Sequence, residues 1–273
     1  MSVPSSSKYD RPWECRMDAF RVAGELWFVG NTSGASWLLE TPEGPVLFDT
    51  NYPTLAPLLL ESIREAGFDP RQLRAIFHTH GHYDHYGATK ELKELSGAEC
   101  FMSRVDTEML RQRPELGLAA LGKYLFPEPP AIDRELEDGE VVTIGGIPIR
   151  CVLCPGHTPG AMSFFFPVTE GGKTYTAGLH GGSGLNTLTD AFSREYGVDW
   201  RPLFRRGMEK MGRESPDIFL ANHTKVCHTA EKYARLGKGP NPFINASHWH
   251  SFLRQLQEDF DKMEQAEGAR KEN

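Results

Sequence analysis

The chain has no run of the roughly 18 apolar residues that a membrane-spanning helix requires. Its first twenty residues, with Pro4, Pro12 and a serine cluster, hold no apolar segment of the kind that directs export. These absences predict a soluble, cytoplasmic protein. Cysteine is scarce: five residues, an odd number without framework spacing, fit a reducing compartment better than a disulfide scaffold. A basic excess is missing too. Lys and Arg total 30 against 37 Asp and Glu, a formal net charge of −7, so neither nucleic acid nor an anionic membrane is expected as a partner. The densest basic stretch, 201–210, carries Leu203, Phe204 and Met208 near helical spacing and reads as a solvated helix face. Cys151 and Cys154 form a C-x-x-C, but on an apparent strand that odd spacing points the side chains to opposite faces. They read as buried small hydrophobes rather than a redox pair.

What is present is an alternation of strand and helix signals. Apolar strands are expected at 20–29, 35–40 and 45–48, followed by a helix over 55–66 that ends at Gly67. A strand at 73–77, a helix at 86–95 and a strand at 99–102 come next. Residues 111–131 form a proline-rich excursion with a short helical piece around 116–125. The second half repeats the habit, with strands at 141–144, 147–153, 161–168, 174–176 and 218–221 and helices at 200–211, 229–236 and 247–265. No sequence-level repeat is visible. The pattern predicts an α/β protein of two facing sheets with helices outside. A flexible segment over 1–18, one domain over 19–265 and a tail fraying over 266–273 are expected.

The most specific stretch is His78-Thr79-His80-Gly81-His82-Tyr83-Asp84-His85, four histidines and an aspartate within eight residues after an apolar strand. Imidazole and carboxylate donors together suit one or two borderline metals such as zinc or iron. On an extended backbone His80 and His82 point to one side; Asp84 and His85, beyond the bend, face a neighbouring position. Two further strands end in histidine loops: Pro155-Gly156-His157-Thr158-Pro159-Gly160 and Ala221-Asn222-His223. His78 points into the strand and reads as buried structure, while His228, His248 and His250 show no ligand spacing.

Through Asp49, the His80-x-His82-x-Asp84-His85 loop, the turn bearing His157 and the late His223, the chain resembles the metallo-β-lactamase superfamily, most closely its subclass-three β-lactamases. That resemblance implies an αββα sandwich of two mixed sheets, with two zinc ions at one rim. It assigns His80, His82 and His157 to one zinc and Asp84, His85 and His223 to the other. It further implies a hydrolase in which zinc supplies hydroxide at neutral pH, with Asp84 orienting the nucleophile. Asp49 would either hold a ligand histidine or cap a strand end. Many hydrolases of this superfamily carry a bridging aspartate where this chain reads Ala177-Gly178-Leu179-His180-Gly181-Gly182-Ser183. Without it, two zincs, a hydroxide and one aspartate leave a centre of about +2, which favours a small anionic carbonyl substrate.

His180, in that loop, is expected near the metals as a proton donor, substrate contact or zinc neighbour, or else as a solvent-side histidine. Tyr83 and Ser183 are assigned to substrate, with aromatic packing under the loop as the other role for Tyr83 and Tyr86. The leading activity is opening of a β-lactam or similar cyclic amide, and the alternative is a lactone, ester or thioester. An iron oxidoreductase or a non-catalytic zinc module fits the ligand set less well. Pocket walls from 31–35, 111–131 and 178–188 leave substrate identity open, and oligomeric state is open too.

Overall fold

The computed structural model describes residues 11–122 and 128–271. Twelve strands form two mixed sheets. The first contains β1 (Phe20–Ala23), β2 (Leu26–Phe28), β3 (Trp37–Leu39), β4 (Val46–Phe48), β5 (Ala75–Phe77), β6 (Glu99–Ser103) and β7 (Arg134–Leu136), in that spatial order. The second runs β12 (Ile218–Ala221), β11 (Lys173–His180), β10 (Met162–Glu170), β9 (Ile147–Leu153) and β8 (Val141–Ile144). The helices are α1 (Ala56–Glu65), α2 (Tyr83–Tyr86), α3 (Thr89–Ser96), α4 (Arg104–Gln112), α5 (Asp190–Tyr196), α6 (Arg201–Met211), α7 (Thr229–Tyr233) and α8 (Ser247–Lys271).

The two-residue period of a strand sorts side chains between layers. Phe48 and Phe77 face the second sheet and meet Phe164, with ring centroids 5.5 and 5.4 Å away. Their neighbours Leu47 and Ile76 face outward into a cluster with Leu59 and Ile63 of α1 and Leu92 of α3. On the second sheet Phe165 and Phe219 face outward onto Trp249 of α8. Helices therefore cover both outer faces, as an αββα sandwich requires, and strands buried on both sides read as continuous apolar runs.

The topology collects loops at one rim. β4, β5, β6 and β7 are parallel, as are β11 and β12, so their carboxyl ends gather at an edge in each sheet. Backbone bonds join the two edges: Met162 N donates to Thr79 O at 2.8 Å and Ala35 N to Asn222 O at 3.0 Å. Ligand-bearing loops at strand carboxyl ends are a property of open α/β sheets in general.

Several boundaries differ from the sequence reading. The expected strand 20–29 is a hairpin turning at Gly24, whose φ of +44° places it in the left-handed region and whose added Cβ would strike Thr169 O at 2.0 Å. β11 runs four residues past the expected 176, through Gly178, a glycine required by close packing on Pro216 and Phe165 rather than by a turn. The helix expected at 86–95 is two, α2 and α3. Helices α4 and α5 and strand β7 were not expected. Residues 266–271 continue α8, where fraying was expected. Part of the expected piece 116–125 and residues 1–10 of the segment 1–18 lie outside the described residues, whereas Pro12–Cys15 form a 3-10 turn with Cys15 buried. Among the described residues no helix is long and apolar enough to cross a membrane.

The basic face of α6 is spent on ion pairs: Arg201 with Asp190 and Asp199, Arg205 with Glu264, Lys210 with Asp138. Cys151 and Cys154 are buried and free, and burial pushes their thiols up to about 12 and about 11.

Candidate metal centre

The loop after β5 delivers the first donors. Thr79 is locked by Asp49, whose Oδ1 accepts from Thr79 N and whose Oδ2 accepts from Thr79 Oγ1, both at 2.7 Å. Asp49 itself sits at φ +57°, and Asn51 at φ +63°, left-handed conformations held here at the rim. Asn51 donates to Ser36 Oγ at 2.6 Å and accepts from Asn31 Nδ2 at 3.0 Å, which fixes the 31–35 loop beside the site.

The six residues form two three-donor groups, His80, His82 and His157, and Asp84, His85 and His223. In the first, His82 Nδ1 and His157 Nε2 lie 3.0 Å apart. Tetrahedral ligands about 2.0–2.1 Å from one zinc stand roughly 3.3 Å from each other, so this spacing is that of two ligands of a common ion. In the second, Asp84 Oδ2 is 3.6 Å from His85 Nε2 and 3.8 Å from His223 Nε2. The groups are adjacent, with the His80 and His85 ring centroids 4.0 Å apart.

Four rings have their rear nitrogen engaged. His80 Nδ1 donates to Gly181 O at 2.8 Å, His157 Nδ1 to Gly184 O at 2.8 Å, and His223 Nδ1 to Ser33 O at 3.2 Å. His85 Nδ1 donates to Asp49 Oδ2 at 2.7 Å. Such partners set the tautomer and leave Nε2 as a lone-pair donor. The Nε2 atoms of His80, His82 and His85 are buried without a hydrogen-bond partner among the described residues. A buried unpaired polar atom is costly, and at His80 and His85, one in each donor group, a metal ion would remove that cost. The donor chemistry fits zinc.

Electrostatics prepares the same state. Burial, and then the neighbouring imidazoles, hold His80 and His82 well below the usual histidine range, and burial lowers His157 to about 4. Burial would raise Asp84, but His85 and His223 outweigh it and keep the carboxylate ionised. Burial also opposes a charge on His85, yet Asp84 and Asp49 raise it. Neutral imidazoles in the first group and the ionised Asp84 are the forms that bind metal, while at His85 the two carboxylates favour the imidazolium, so a metal ion binding there displaces a proton.

A residue absent from the sequence reading ties the two ligand loops together. Asp106, fully buried near the start of α4, accepts from Gly81 N at 2.8 Å, Thr158 Oγ1 at 2.6 Å and Gly160 N at 2.7 Å. It thereby joins the His80–His82 loop to the turn bearing His157. Helix α6 presses on the other side of that turn, where a Cβ on Gly207 would meet Pro155 O at 2.3 Å.

Three assignments change or narrow. His180 belongs to neither donor group. Leu179 pairs with Phe164 on the inward face, so alternation turns His180 outward, where its ring packs on Phe252 and Trp249 at 5.0 and 5.7 Å. Burial lowers it to about 3, leaving a neutral ring that accepts from Gly182 N at 3.2 Å. The catalytic and substrate roles expected of His180 are therefore withdrawn. Tyr83 is buried against Tyr52, with ring centroids 5.6 Å apart, which is the packing role rather than the substrate role. Ser183 stands half-buried in the loop that wraps His157, between Gly182 and Gly184; a Cβ on Gly184 would lie 2.5 Å from His157 Cε1. His78 is buried structure, bonded to Phe101 O at 2.8 Å and Thr89 Oγ1 at 2.7 Å.

Replacing Asp49 with asparagine keeps the volume but removes the charge behind His85. Metal affinity of the group containing His85 is expected to weaken by about 10–100-fold, the usual cost of losing such a partner. Competition titration against a chromogenic chelator reads it, and unchanged affinity would place Asp49 in a purely strand-capping role.

Residues 29–170 match the family model described as metallo-beta-lactamase superfamily. An N-acyl homoserine lactonase of Bacillus thuringiensis is 24% identical over 234 residues, 72% of this chain and 85% of that protein. A hydroxyacylglutathione hydrolase of Maricaulis maris is 26% identical over 136 residues, 50% of this chain and 40% of that protein. The chain spans less than half the length of the first curated relatives it matches, 46% and 40%. Among solved structures, the native FEZ-1 metallo-beta-lactamase from Legionella gormanii superposes with a TM-score of 0.84 at 26% identity, covering 93% of this chain and 98% of that one.

Proposed function

The chain belongs to the metallo-β-lactamase superfamily of metal-dependent hydrolases, and from that premise we propose that it holds two zinc ions and opens a β-lactam or similar cyclic amide. The observation that carries the proposal is the donor arrangement. Each group has its own three donors, and among the described residues no carboxylate is shared between them. Where a bridging aspartate would stand, the end of β11 offers the carbonyl of Gly181 to His80 and turns His180 away. A centre of higher positive charge suits an anionic amide. Likeness to the Legionella enzyme over nearly its whole length supports the same choice.

Bound zinc lowers the pKa of water and polarises a carbonyl. The chain's own contribution is placement. Asp84 keeps its charge at the open side of the centre, its side chain 15% exposed against 1% for His85, and is the group that orients an attacking water. Asp49, Gly181, Gly184 and Ser33 hold the imidazoles so that no reorganisation accompanies the reaction.

A lactone is the second reading, favoured by the lactonase relative that this chain covers to 85% of its length. Specificity constants for penicillins, cephalosporins and carbapenems, set beside acyl lactones and thioesters on one zinc-loaded preparation, decide between them. At least about a tenfold preference for a β-lactam is expected. The reverse order would make lactone opening the activity.

A further inference from the structure

A second cavity lies on the outer face of β12, away from the metal donors. It has a volume of about 560 Å³ and opens between α7 and α8, within the range of small-molecule sites. Phe219 and Phe252 form apolar wall, and Lys232 of α7 lines the cavity with them. Lys232 is only 6% exposed, and its Nζ has no hydrogen-bond partner among the described residues. The ammonium sits between two rings, 5.8 Å from the centroid of Phe219 and 5.3 Å from that of Phe243.

A second donor belongs to His248, which also lines this cavity. Asn245 Oδ1 accepts from Ser247 N at 3.0 Å and Ser247 Oγ at 2.8 Å, which turns its amide nitrogen toward His248 Nε2, 3.0 Å away. His248 Nε2 is therefore an acceptor and Nδ1 carries the proton, yet Nδ1 is buried without a partner. Arg235 adds positive charge at the exposed mouth, with Glu231 the one carboxylate among the lining residues and the thiol of Cys227 bonded to Thr229 Oγ1 at 3.1 Å. Burial lowers the Lys232 amine, the expected response of a cation lacking a counter-charge.

We propose that this cavity binds an organic carboxylate with an apolar body, the two carboxylate oxygens accepting from Lys232 Nζ and His248 Nδ1 and the body lying on Phe219 and Phe252. Two donors flanked by aromatic rings match a monoanion with two acceptor atoms; a phosphate dianion would need more donors than the floor supplies. Occupancy would give both buried donors the acceptor they lack.

Calorimetric titration of the zinc-loaded full chain with octanoate tests the assignment. One saturating equivalent is expected, with octanol and inorganic phosphate each at least tenfold weaker. Lys232→Met, which keeps the length and removes the donor, should weaken octanoate at least tenfold and leave hydrolysis at the metal centre unchanged. Arg235→Ala at the rim serves if that variant does not fold, with an expected loss of at least threefold. His82→Ala should bind octanoate as the parent does. The assignment is overturned if octanoate gives no saturable binding, if Lys232→Met binds as tightly as the parent, or if binding disappears in His82→Ala, which would place octanoate at the metals.

Discussion

Replacing His82 with alanine is expected to abolish hydrolysis, lowering kcat/KM by about 10³-fold or more while the fold persists. Metal at such a centre supplies several kcal/mol of transition-state stabilisation, and each 1.36 kcal/mol is a factor of ten. His82 is the donor whose Nδ1 lies 3.0 Å from His157 Nε2, and a site of two remaining imidazoles does not hold a catalytic ion firmly. Elemental analysis should show one zinc lost, with the Asp84, His85 and His223 group still able to bind the other. Full activity in a folded His82→Ala protein would refute both the ligand assignment and the hydrolase centre built on it.

The second large effect concerns stability. Replacing Asp106 with alanine removes the acceptor of three buried donors, Gly81 N, Thr158 Oγ1 and Gly160 N. At about 1–3 kcal/mol for each donor left unsatisfied, with some recovered by water, a loss of roughly 3–6 kcal/mol is expected. For a chain of this size that lowers Tm by roughly 10 °C or more, read by calorimetry. The carboxyl also gives the effect a pH signature. Burial raises Asp106 from 3.8 to about 6 although its three hydrogen bonds pull it down. A raised folded pKa contributes stability that is fully present below about 3.8 and lost as pH rises through about 6. The gap between parent and Asp106→Ala should therefore widen as pH falls from 7 to 4, by up to an order of 3 kcal/mol. A gap independent of pH would show that Asp106 keeps its ordinary pKa in the fold.

The donors were legible because local spacing carries them: His80 and His82 stand two apart in one loop after β5, and Asp84 and His85 follow within α2. His157 and His223 were legible as histidines that end strands. The inward and outward faces of β11 were harder to read, since the strand had been closed at 176, before Gly178. Continuing the alternation through Leu179 would have turned His180 outward at once. Asp106 has a local signal only for its place in a helix. Ser103-x-x-Asp106 is a helix start, and Ser103 Oγ does accept from Asp106 N at 3.1 Å. The carboxylate, however, serves Gly81 and Gly160, contacts 25 and 54 residues away that no local pattern encodes. The same limit hid the carbonyls of Gly181, Gly184 and Ser33, because a backbone acceptor leaves no mark in residue type.

The seam between the sheets has a consequence for any metal that the two donor groups hold. His80, His82, Asp84 and His85 come from the first sheet, while His157 and His223 come from the second. Each donor group is thus shared two to one, and neither sheet owns a complete set. An ion held across the seam acts as a rivet, and its binding energy opposes separation of the two layers. Parting the layers opens both sets together, so the ions should leave as a pair at the moment the sandwich comes apart.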